Sequence, residues 1–132
     1  MTLLLLAGTG EAQQLARHLA DEGRAAVASL AGATRAPRAM GLPTRIGGFG
    51  GEAGFLAYVA EAGITAVLDA THPFAAQISA RTARLCAAHD LPYCQLLRPE
   101  WVPGTEDRWT DIAAEEEAAA HIPVGATVFL AT

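Results

Sequence analysis

The chain opens on Thr2-Leu3-Leu4-Leu5-Leu6-Ala7, a continuous apolar run, and Gly8-Thr9-Gly10-Glu11 breaks it at once. Ala12, Leu15, Ala16, Leu19 and Ala20 then recur at helical spacing. A strand without polar alternation must be covered on both faces, so this opening predicts the first βα unit of a parallel α/β sheet. The N-terminus of the helix carries unpaired N–H groups and a partial positive charge, which suit a phosphate. Gly8 and Gly10 have no Cβ to obstruct its approach. The dinucleotide fingerprint asks for a third small residue three positions after the second glycine. Gln13 stands there, so only the G-x-G part is present. An ordinary strand-to-helix turn would use the same residues. The place of this turn, after the first buried strand and at a helix start, favours the phosphate.

Alternation continues along the chain. Gly23 ends the first helix and Ala25–Ala31 forms the second strand. In an NAD-binding domain a carboxylate about 20 residues past the glycines would hold the ribose 2′-hydroxyl. Here the strand ends in Ser29-Leu30-Ala31-Gly32 with no Asp or Glu, and Thr34, Arg35 and Arg38 follow. Guanidinium groups in place of a carboxylate suit a 2′-phosphate and predict a preference for NADP, Arg35 being better placed than Arg38. A short strand at Thr44–Ile46 leads into Gly47-Gly48-Phe49-Gly50-Gly51. Four glycines in five residues cost chain entropy, so the run is read as backbone in contact with a ligand, with Phe49 available to cover it. The other reading is a flexible connection.

A helix with Phe55, Leu56 and Val59 on one face ends at Gly63, and Ile64–Ala70 is a strong buried strand. Thr71-His72-Pro73-Phe74 follows it. Pro73 suits the first position of a helix running to about Ala88, with His72 as its extended N-cap. Pro92–Leu97 is the next strand. Asp111 is read as the cap of a helix whose first turns carry Glu115, Glu116 and Glu117. Thr127–Ala131 is a last apolar strand. The pattern is a Rossmann-like parallel sheet with helices on both faces.

Composition narrows the function. At 132 residues and 52% hydrophobic, residues 1–132 suffice for one domain with a real core. A net charge of −5 speaks against nucleic-acid binding. All nine basic residues are arginine, which removes Schiff-base chemistry and any lysine base. Cys86 and Cys94 lie outside metal-ligand spacings and read as buried thiols in a reducing compartment. No metal site is expected. There is no basic leader segment and no run long enough to span a membrane, so the expected location is the cytoplasm.

Together, Gly8-Thr9-Gly10-Glu11, Gly47-Gly48-Phe49-Gly50-Gly51 and Asp69-Ala70-Thr71-His72-Pro73-Phe74-Ala75 resemble the precorrin-6A reductases of cobalamin biosynthesis, including the cobalt-precorrin-6A reductases of the anaerobic branch. Arg98-Pro99-Glu100-Trp101 and Val128–Thr132 are similar as well. The resemblance implies an NADPH-dependent oxidoreductase that delivers hydride to a ring carbon of a tetrapyrrole, taking precorrin-6A to dihydro-precorrin-6B. Such proteins run to roughly twice this length, so a second α/β domain is expected to follow and to dock on this one. The candidate cofactor-binding residues are Gly8, Thr9, Gly10, Glu11, Ser29, Arg35, Gly48, Phe49, Gly50, Thr71 and His72. His72 is a helix cap on one reading and a proton donor on another; no other catalytic candidate stands out. Asp69 is expected to be structural, and Trp101 to cover a ligand or seal the sheet edge. The alternative class is a non-catalytic nucleotide-binding or regulatory domain. A short-chain dehydrogenase relative would need a Tyr-x-x-x-Lys pair, which a chain without lysine lacks.

Overall fold

The computed structural model describes residues 1–32 and 39–129. Met1–Arg98 forms one compact unit and Pro99–Thr132 another. The first unit is a five-stranded parallel sheet. Its strands are β1 (Thr2–Leu6), β2 (Ala26–Leu30), β3 (Thr44–Ile46), β4 (Ile64–Asp69) and β5 (Tyr93–Gln95), in the order β3-β2-β1-β4-β5. Three helices connect them: α1 (Gly10–Asp21), α2 (Glu52–Glu61) and α3 (Ala76–Ala88). β1 is central and β4 is its neighbour, as their unbroken apolar character predicts.

The reason for that character is visible in the core. Side chains alternate across a strand. Leu4 and Leu6 pack with Phe55 of α2 and with Leu85 and Cys86 of α3 on one face. Leu5 and Ala7 pack with Ala12 and Ala16 of α1 on the other. Alanines on α1 let that helix approach closely, while larger side chains fill the α2/α3 layer. Gly23 and Gly63 close α1 and α2 in left-handed conformation, at φ 64° and 61°, donating to the carbonyls of Ala20 and Ala60.

Several boundaries differ from expectation. α3 starts at Ala76, with no side-chain cap. Pro73 and Phe74 instead occupy a turn closed by the Ala75 N–H on the His72 carbonyl at 2.8 Å. A fixed φ near −65° serves the second position of such a turn as well as it serves a first helical turn. β5 is an edge strand of three residues, which leaves Cys94 exposed while Cys86 is buried.

In the second unit, Asp111 caps no helix among the described residues. A 3₁₀ segment spans Glu115–His121 with Ala114 before it, and its start is met by Glu117, whose Oε2 accepts the Ala113 N–H at 3.2 Å. The segment buries no residue, so it lacks the apolar packing that stabilises a longer helix. Residues 127–129 form no strand, and Leu130–Thr132 lie outside the described residues. An apolar run becomes a strand only when a neighbour takes its backbone groups. Trp101 is exposed.

Candidate functional site

Strand order reverses between β1 and β4, and that is where doubly wound sheets open a ligand crevice beyond the strand C-termini. Thr9 stands at this reversal, in the turn after β1. In extended conformation it caps α1, its Oγ1 accepting the Ala12 N–H at 3.1 Å. The same hydroxyl donates to the Ala70 carbonyl at 2.8 Å, which ties the turn after β1 to the end of β4. The side chain is therefore committed to architecture, and any ligand contact at Thr9 falls to its backbone. Gly8 stands at φ 150°. A Cβ added there or at Gly10 would meet nothing within 4 Å. The first N–H groups of α1 beyond the one that Thr9 takes have no helix carbonyl to meet. The space over the turn is open, and the Glu11 N–H is taken by its own carboxylate.

Glu11 stands in the first turn of α1, and its carboxylate accepts from Arg98 Nη2 at 3.2 Å. Its own backbone N–H, and after it the Arg98 charge, hold its carboxyl below the ordinary range against a smaller desolvation. Glu11 thus neutralises Arg98 beside the turn.

The turn after β4 is built on Asp69, which is 1% exposed. Its Oδ1 accepts from the Thr71 N–H at 3.0 Å and from Thr71 Oγ1 at 2.7 Å. Its Oδ2 accepts from the Tyr93 hydroxyl at 2.7 Å. The Ser79 hydroxyl lies 3.2 Å from that of Thr71. Burial pushes the Asp69 carboxyl up, but hydrogen bonds from Ser79, Thr71 and Tyr93 outweigh it and bring it below its usual value. Burial, and after it Asp69, push the Tyr93 phenol up. Asp69 is structural, as its position at the strand end predicts. Tyr93 and Ser79 were not singled out in the sequence.

Above this buried cluster, His72 does not cap α3. Its Nδ1 accepts the Phe74 N–H at 3.3 Å. Its ring lies 4.9 Å from that of Phe74 at 40°, and Phe74 is 90% exposed.

The third region lies at the ends of β2 and β3 and is organised by Arg45. Nη1 donates to Ser29 Oγ at 2.7 Å and to the Gly47 carbonyl at 3.0 Å, and Nη2 donates to the Gly48 carbonyl at 3.1 Å. The guanidinium lies over the rings of Phe49 and Tyr58, 4.0 and 5.0 Å from their centroids. Phe49 is turned inward, edge-on to Phe55 at 5.2 Å. The glycine run is thus anchored, and Ser29 serves that anchor. Arg35, with Thr34 and Arg38, falls outside the described residues. Arg45 is one of nine arginines, and only its pairing with Ser29 across β2 and β3 distinguishes it.

Backbone register joins these regions. Arg45, Ser29, Leu6, Asp69 and Gln95 are successive partners across the five strands. Neighbours in register share a face, so Arg45 and Asp69 support two loops from one rung on the α2/α3 side. Among the described residues, no group of three or more His, Cys, Asp or Glu is placed to hold a metal ion.

The family model described as "Precorrin-6x reductase CbiJ/CobK" matches residues 2–132. A precorrin-6A reductase from Rhodobacter capsulatus is 50% identical over 130 residues, covering 98% of this chain and 52% of that protein. One from Rhodococcus erythropolis is 45% identical over 130 residues, covering 97% and 52%. A solved structure titled "CobK precorrin-6A reductase" superposes with a TM-score of 0.87 at 49% identity, over 93% of this chain and 49% of that one. The chain spans about half the length of the curated relatives it matches. With this sheet order and this extent of matching, the chain belongs to the CbiJ/CobK family of precorrin-6x reductases.

Proposed function

We propose that this chain is the cofactor-binding portion of an NADPH-dependent reductase that acts on precorrin-6A and yields its dihydro product. The observation that carries the reading is the Thr9 bridge to Ala70. It places an open G-x-G turn and the Thr71–Phe74 turn on the two sides of one crevice. Residues present here fit the cofactor. The α1 N-terminus and the unobstructed Gly8 and Gly10 would receive the pyrophosphate. The ends of β2 and β3, with Ser29 and the glycine run, would receive the adenosine end. Arg35 is proposed as a 2′-phosphate contact. When bound, the cofactor supplies a hydride from its nicotinamide ring.

The chain's own contributions are positioning, shielding and a proton. Asp69 holds the Thr71 turn rigid, so a ligand resting on it meets a preformed surface. Phe74, with the exposed Leu96 and Leu97 at the end of β5, offers apolar cover for a macrocycle and a surface for the remaining half of a full-length member. Such enclosure excludes water from hydride transfer. His72 is the candidate donor of the proton that accompanies the hydride. A net charge of −5 gives this half little attraction for a polycarboxylate, so the locally positive surface must come mainly from the rest of the protein.

Calorimetric titration with NADPH and NADH tests the cofactor, and Arg35→Ala should remove one to two decades of NADPH affinity, roughly the worth of a charge-assisted contact. Single-turnover oxidation of NADPH with precorrin-6A under anaerobic conditions tests the division of labour. The chain alone should bind without turning over, whereas a full-length member should do both. A full-length member that binds but never oxidises NADPH would mark a non-catalytic nucleotide domain.

A further inference from the structure

Arg45 does more than anchor a loop. It draws the carbonyls of both Gly47 and Gly48 toward the sheet. In a trans peptide the carbonyl and the following N–H point in opposite directions. The N–H groups of Gly48 and Phe49 are therefore aimed away from Arg45, out of the loop. Neither donates to a protein acceptor among the described residues. Successive N–H groups facing outward form an anion-receiving concavity.

The loop is held in this shape from three directions. Phe49 packs its ring between Arg45 and the aromatic residues of α2. The Phe49 carbonyl rests against Gly54 of α2, where an added Cβ would collide with it. Gly47, Gly50 and Gly51 take φ of 112°, 77° and 96°, angles open to glycine and strained for other residues. A flexible connection would not need this much fixing.

Position indicates which anion. The adenosine ribose of a dinucleotide lies beyond the end of β2. Ser29, one residue before the end of β2, has no carboxylate beside it to hold a ribose diol, and its hydroxyl is held by Arg45. We propose that Arg45 is a positioning residue for the 2′-phosphate of the cofactor: it turns the Gly47 and Gly48 carbonyls inward and so presents the N–H groups of Gly48 and Phe49 to the phosphate. This rests on the NADPH reading above and extends it from Arg35 to a backbone site.

The test compares NADPH and NADH binding by calorimetry in the whole chain and in Arg45→Met, Arg45→Lys and Gly54→Ala, each checked for native circular dichroism. Arg45→Met should weaken NADPH about tenfold and leave NADH within about twofold, since only the 2′-phosphate contacts are lost. Arg45→Lys keeps the charge without the planar fork and should behave like Arg45→Met. Gly54→Ala reaches the loop from α2 with no change of charge and should show the same selective loss. A damaged fold would lower both affinities together. Wild-type selectivity retained in Arg45→Met or in Arg45→Lys would overturn the proposal and leave the NADPH reading intact. A wild-type chain that binds both cofactors equally would overturn both.

Discussion

Two loops leave the same rung of the sheet on the same face, and they are held by opposite charges. On the β3 side a half-buried guanidinium collects carbonyls, a hydroxyl and aromatic rings. On the β4 side a fully buried carboxylate collects an N–H and two hydroxyls. The sign of the buried group decides which half of each peptide faces outward. Arg45 pulls carbonyls in and leaves N–H groups outside. Asp69 pulls the Thr71 N–H in, and the Ala70 carbonyl of that peptide points the other way, to Thr9. The Arg45 loop thus turns N–H groups outward, whereas the peptide after β4 spends both its N–H and its carbonyl within the fold. Burial differs as well, and with it the cost of disturbing each anchor.

The largest expected effect is therefore at Asp69. Replacement by alanine strands the Tyr93 hydroxyl and the Thr71 N–H and should cost about 3 kcal/mol in urea unfolding, as loss of a buried charged hub does. A loss no greater than that of Arg45→Met would break the comparison. The same carboxylate gives a pH signature. Its folded-state value lies below the ordinary 3.8, so on acidification the unfolded chain takes up the proton first. Its contribution is complete above that ordinary value and is lost as pH falls through the folded one. Asp69→Asn should remove this part of the acid limb, measured by unfolding between about pH 5 and about pH 3.

Arg45→Met should cost less, about 1–2 kcal/mol, because solvent can replace some of its partners and the cation–π contacts are partly exposed. The smallest change is expected on the rim. Phe74→Ala should stay within about 0.5 kcal/mol of wild type in stability, since the ring is exposed. In a full-length member it should still lower NADPH oxidation with the macrocycle, which separates a surface kept for ligand from one kept for folding.

The parallel sheet, the glycine turn and the central place of β1 and β4 were legible because each follows from local pattern. An unbroken apolar strand needs cover on both faces, and Gly8–Gly10 announce the turn by composition. Asp69 was legible as a strand-end residue, but its partner Tyr93, 24 residues away, was not. The supposed His72 cap shows the limit of local chemistry. Pro73 fits a helix start and a turn equally, and the hydrogen bond of Phe74 to His72 marks which of them formed. The expected helix after Asp111 failed for a related reason, since acidic residues at a helix start stabilise it only if an apolar face is buried.

Sequence alone determined the class of fold, the end of the sheet that carries the loops and the family, because hydrophobic periodicity and short motifs are properties of neighbouring residues. Tertiary structure decided which polar residues matter. Nothing local sets Arg45 apart from eight other arginines or Tyr93 from any strand tyrosine. They gained their roles when strand register brought Arg45 beside Ser29 and laid Tyr93 next to Asp69. The energy of a buried charge depends on what surrounds it, and those surroundings come from segments distant along the chain.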